Sequence, residues 1–89
     1  MRRRNIVHEH QFTAELYALI PDPKEADEIL QGAVEWFSHS ADLGQHLGGT
    51  MWTKTISDFP HNRWLVIYYT MDLRSVHLQS VRHFDITEY

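Results

Sequence analysis

Residues 63–72 read RWLVIYYTMD, an arginine at the mouth of the most apolar run in the chain. Leu65, Ile67 and Tyr69 fall on one parity of this run and Trp64, Val66 and Tyr68 on the other, so a strand built from it is apolar on both sides. A strand of that kind belongs in the middle of a sheet, with helices over one face and some other segment over part of the second.

Working outward, DLR at 72–74 reads as a hairpin turn and SVHLQSVRHF at 75–84 as a closing strand. On the other side, MWTKTI at 51–56 reads as a strand and DFPHN at 58–62 as the turn that returns the chain. Connections this short favour antiparallel neighbours. The preceding GQHLGGT, rich in glycine, reads as a loop.

Two helices are expected before it. Asp22 is placed to cap the second, Pro23 suits its first position and Glu25 stands three residues on, as in a capping box. Ala26, Ile29, Leu30, Ala33, Val34 and Phe37 then recur at helical spacing, with Asp27, Glu28, Gln31 and Glu35 on the opposite side. Gly32 within this helix suggests close packing against a neighbour. Phe12, Leu16, Leu19 and Ile20 mark a shorter first helix that Pro21 ends, and Asn5 to His10 reads as a short first strand. The expected architecture is α+β, in the order β-α-α-β-β-β, an antiparallel-dominated sheet with two helices packed on one face.

The chain has 89 residues, 43% of them hydrophobic, and no cysteine. Residues 1–89 therefore read as a single domain that neither disulfides nor a thiolate zinc site hold together. The basic start MRRRNIVHEHQF lacks the apolar core of a signal peptide, and nothing approaches the length of a membrane span, so a cytoplasmic setting is expected. Net charge is −4. The acidity is concentrated: residues 15–42 hold seven acids and one base, while the rest of the chain is slightly basic. The balance argues against a dedicated nucleic-acid binder, although it leaves a locally positive sheet face open.

The order of elements resembles the RelE/ParE superfamily of bacterial toxins from type II toxin-antitoxin systems. The segments that carry the resemblance are FTAELYAL, the amphipathic helix, LGQHLGGTMW, RWLVIYY, the turn at MDLR and the closing LQSVRHFD. It implies a toxin of RelE-like type, an mRNA endoribonuclease acting on the ribosome without metal or other cofactor. The alternative is a ParE-like inhibitor of DNA gyrase, or a catalytically silent protein-binding module of the same fold. A cognate antitoxin is implied as partner in either case, with a homodimer left open and no membrane involved.

Cleavage of RNA by its own 2′-OH requires proton removal, neutralisation of charge on the phosphorane-like transition state and protonation of the leaving oxygen. Arg63 offers a guanidinium fork to phosphate, or else is a strand-end arginine in solvent or paired with Asp58 or Asp72. Lys54 on the preceding strand is a second candidate cation. Arg82 and His83 stand where relatives place basic or histidine catalytic residues, and because strand neighbours point to opposite faces only one of them faces the site squarely. Tyr89 is a candidate for base stacking or proton transfer. His8 and His10, two apart, fall on one face of the first strand, a spacing compatible with metal binding given a third ligand such as His83 or Asp85, although no metal is expected. Trp36 and Trp64 read as core, Trp52 less clearly so, and the arginines at 2–4 as a solvated tail.

Overall fold

A computed structural model of the chain describes residues 3–58 and 61–85. Its elements are β1 (Asn5–His8), α1 (His10–Leu19), α2 (Pro23–Ser40), a 3-10 turn (Ala41–Leu43), β2 (Gln45–Gly48), β3 (Met51–Asp58), β4 (Arg63–Met71) and β5 (Ser75–Asp85). The class is α+β as expected, but the sheet has five strands, in the order β1-β5-β4-β3-β2, and it is mixed. β1 runs parallel to β5, and the remaining pairs are antiparallel.

The extra strand is β2, within the segment that reads as a glycine-rich loop. Gln45 and His46 pair with Thr53 and Trp52, and after an irregularity Gly48 meets Met51. Gly48 and Gly49 hold positive φ of 131° and 55°, so these glycines make the tight return of a hairpin. The first strand is shorter than expected, because His10 already opens α1.

β4 is central. Leu65, Ile67 and Tyr69 point toward the helices, where they meet Val76, Leu78 and Val81 of β5, Phe12, Leu16 and Ile20 from α1 and its C-terminal flank, and Ala26, Ala33 and Phe37 of α2. Tyr69 is fully buried and donates its hydroxyl to the Ala41 carbonyl at 2.5 Å. Burial and the nearby Asp42 push the phenol up to about 12. Gly44 is required beside it, since a Cβ there would fall 1.9 Å from the Tyr69 hydroxyl.

The apolar residues of β5 are spaced 76, 78 and 81, because a bulge interrupts the ladder. Tyr68 pairs with Ser80 and Tyr69 with Leu78, which leaves Gln79 extra. From Ser80 onward the parity of β5 is therefore reversed. β1 pairs with β5 only as far as Leu78; beyond it, the Glu15 carboxylate of α1 accepts from the Ser80 hydroxyl at 2.7 Å and from the Val81 N–H at 3.2 Å. A side chain thus takes over where the neighbouring strand stops.

Asp22 caps α2 by accepting from the Lys24 N–H at 3.0 Å, with Pro23 at the first position. Glu25 turns instead toward His61, 3.4 Å away. The expected apolar stripe is sealed only at Ala26, Ala33 and Phe37, while Ile29 and Leu30 are half-buried. Gly32 does not mark close packing: a Cβ there would meet nothing within 4 Å.

Candidate functional site

Arg63 stands at the start of β4 on the helix-covered face, only 12% exposed at its side chain. Its Nε donates to Asp58 Oδ2 at 2.9 Å and its Nη2 to the Leu19 carbonyl, also at 2.9 Å. The guanidinium thus ties the β3–β4 hairpin to the end of α1 and satisfies a carbonyl that the helix leaves without an internal partner. Burial alone would raise the Asp58 carboxyl, but hydrogen bonds from Arg63 and His61 outweigh it and hold the group below the usual carboxylate range. Arg63 is thus paired with Asp58, one of the two acids the sequence offered it, and is not a solvated strand end.

Lys54 shares that face but lies far along it: it pairs with Ile67, whereas Arg63 pairs with Asp58 and Asp85. Its ammonium sits 4.5 Å from the centre of the Trp36 ring, a cation–π contact. His83 is opposite Leu65 and so also belongs to the helix side, at the exposed end of β5. Arg82, opposite Val66, is on the other face. The bulge at Gln79 decides this assignment, because uninterrupted alternation from Val76 and Leu78 would have put Arg82 among the helices. Three of the candidate cations are thereby split from the fourth by the thickness of the sheet. Tyr89 lies outside the described residues.

The second face of the sheet is open. Trp64, which reads as core in the sequence, is 40% exposed and pairs across strands with Phe84, 52% exposed. Val66 and Tyr68 continue the apolar line between Thr55 and Arg82 and between Thr53 and Ser80. Exposure is concentrated at Trp64 and Phe84: Val66 and Tyr68 are half-buried, Thr53 is buried, and Gln11 of α1 reaches the edge of the line, which is the partial cover that the composition of β4 implied. The strand positions of this face carry no Asp or Glu; Arg82 and His77 are its titratable groups beside Tyr68. A shallow recess of about 500 Å3 opens at its β5 side, between Gln11, Met51, Tyr68, Gln79, Ser80 and Arg82.

A second, more apolar groove of about 420 Å3 lies between α2 and the sheet, with Ile29, Trp36, Ile56 and Ile67 along it and Glu28 and Lys54 at its edge. It explains both the half-buried Ile29 and the empty space beside Gly32. The helical spacing alone gave no sign of it, since a stripe facing a groove and one facing a filled core share the same period.

Several other residues differ from their expected places. His8 and His10 do not share a strand face, because β1 ends at His8. Arg3 reaches Glu35 at 3.4 Å, and Arg4 donates through Nε to the Asp72 carbonyl at 3.0 Å, so both lie against the fold. Trp52 packs its ring on His46, centroids 4.7 Å apart. The group that sequence reading missed is at the β3–β4 turn, where His61, Asp58 and Glu25 converge. A D-x-x-H spacing was its sole trace, and Glu25 comes from another element. Among the described residues, no helix is long and apolar enough to cross a membrane.

Comparison of the chain with known proteins finds no family model, no curated protein and no solved structure that matches it.

Proposed function

We propose that the protein is a RelE/ParE-like module that acts by binding another protein through the open face of its sheet, without cleaving RNA. The observation that carries this reading is the distribution of the candidate cations. Arg63 is bound to Asp58 and the end of α1 and Lys54 rests on Trp36, which leaves His83, at the exposed end of β5, as the third candidate of that face, while Arg82 lies on the opposite face. A phosphorane-like transition state needs several donors aimed at one point, and this arrangement supports no such convergence.

What supports protein binding is the exposed Trp64–Phe84 pair flanked by Val66, Tyr68 and hydroxyl side chains. Aromatic residues beside an arginine are the side chains that most often anchor interfaces. The succession of two helices and a β-meander, with β1 beside the last strand, supports the RelE/ParE-like architecture. The partner is the antitoxin of the same system or DNA gyrase, in a cytoplasmic setting.

Induced expression followed by primer extension on a reporter mRNA tests the reading. Transcripts remain intact, and the purified chain binds either gyrase or the small protein encoded beside it. A Trp64→Ser, Phe84→Ser double variant loses that binding at least tenfold while staying folded. Cleaved transcripts that disappear in Arg82→Ala would overturn the proposal in favour of the endoribonuclease.

A further inference from the structure

The structure assigns a divalent-metal site to Glu25, Asp58 and His61, at the end of the β3–β4 hairpin and apart from the open sheet face. Three elements contribute one ligand each: the first turn of α2, the last residue of β3 and the turn before β4. His61 Nδ1 is 3.2 and 3.1 Å from the two Asp58 oxygens and 3.4 Å from Glu25 Oε1. One donor atom from each of the three residues falls within 4.8 Å of the other two. Bonds of about 2.0–2.2 Å to a tetrahedral ion would set neighbouring donors about 3.4 Å apart, so the His61 separations already match the edges of such a polyhedron.

The electrostatics point the same way. One ring nitrogen carries at most one proton, yet it faces two carboxylates from different elements, an arrangement that a cation between them favours. Arg63 supplies charge from behind: its Nε donates to Asp58 Oδ2 at 2.9 Å and leaves Oδ1 facing His61, while the Leu19 carbonyl holds the guanidinium in place. Outer contacts of this kind orient ligating carboxylates in metal sites. With His61 neutral, the two carboxylates and Arg63 leave one net negative charge to meet the ion. A nitrogen-and-two-carboxylate donor set suits Zn2+, Co2+ or Mn2+ better than a thiolate-seeking ion. Glu25 and His61 are 34% and 41% exposed at their side chains, so an ion enters from solvent and its remaining position stays open to water.

Titration of the full chain with Zn2+ by calorimetry, and with Co2+ by its visible absorption, tests the site. One equivalent of ion binds and raises the unfolding temperature. His61→Gln and Glu25→Gln each weaken binding at least about tenfold with an unchanged far-ultraviolet circular dichroism spectrum. The chain has seven histidines, so His46→Gln serves as the control and leaves the affinity unchanged; its ring contacts the Gly49 carbonyl well away from the site. Absence of binding, or binding that survives His61→Gln, would overturn the assignment.

Discussion

On the helix side of the sheet Leu65, Ile67, Tyr69, Val76, Leu78 and Val81 are sealed, whereas one residue away on the same strands Trp64 and Phe84 stand 40% and 52% exposed. Hydrophobicity does not separate the two sets; what differs is whether a helix has its own apolar stripe to offer. α1 and α2 between them have two stripes and both are used on one side, so the second face keeps large side chains without a partner. Charge follows the same division: the acids of residues 15–42 ride on the helices and their flanks, and the open face has none at its strand positions. A surface that is apolar and aromatic, with no carboxylate at its described strand positions and Glu15 of α1 reaching it only at Ser80, is thus a product of the fold's one-sided layering, and it is where a partner gains most by docking.

The largest test of this contrast sets Phe37→Ala against Phe84→Ala. The first removes a ring that packs edge-on against Tyr69 at 4.6 Å and is expected to cost about 3–5 kcal/mol. The second is expected to stay within about 0.5 kcal/mol. Urea unfolding of both variants checks the pair, and equal losses would mean that the open face is covered in the free protein.

Arg63 tests the rim of the covered side. Arg63→Met leaves the Asp58 carboxylate buried with His61 as its remaining partner, and a loss of about 3 kcal/mol is expected at neutral pH. Because the Asp58 carboxyl titrates below its unfolded value, its contribution is complete above the carboxylate range and is lost as the pH falls through the folded value. The gap between wild type and variant should therefore narrow on acidification to about pH 3. A gap that stays constant would locate the role of Arg63 in its contact with the Leu19 carbonyl instead.

The smallest destabilisation expected on the covered side is that of Gly44→Ala. Its Cβ would press on the Tyr69 hydroxyl and on the Thr53 carbonyl, 2.7 Å away, and overpacking of this kind costs about 1–3 kcal/mol. Thermal unfolding monitored at the tyrosine band reads it directly, and removal of the hydroxyl in a Gly44→Ala, Tyr69→Phe double variant should recover part of the loss.

These elements also show what the residues announce by themselves. The Asp22-Pro23 start of α2, the stop at Pro21 and the three strands after Met51 follow from local chemistry and are legible directly. β2 is not, because Gln45–Gly48 contains no β-branched residue, GQHLGGT holds three glycines, and the strand character comes from pairing with β3. The side on which Arg82 points depends on the extra residue Gln79, and the one written sign of that bulge is the step from Leu78 to Val81 where alternation would give residue 80. Arg63 is legible as an arginine at the mouth of a strand; its partner Asp58 was one of two candidates, while the Leu19 carbonyl is set by tertiary placement. The convergence of Glu25 with Asp58 and His61 has no local signature, since the residues that form it come from a helix and a hairpin far apart in the chain.

The parallel pairing of β1 with β5 has a kinetic consequence. Asn5 meets Ser75, so the first strand must wait for nearly the whole chain before its hydrogen bonds can form, while the β3–β4–β5 meander closes through short turns. Local pairings of that kind form early and distant ones late. The meander with its helices is expected to assemble first and to leave the free edge of β5 unpaired until β1 arrives, a window in which another extended segment competes for the same edge.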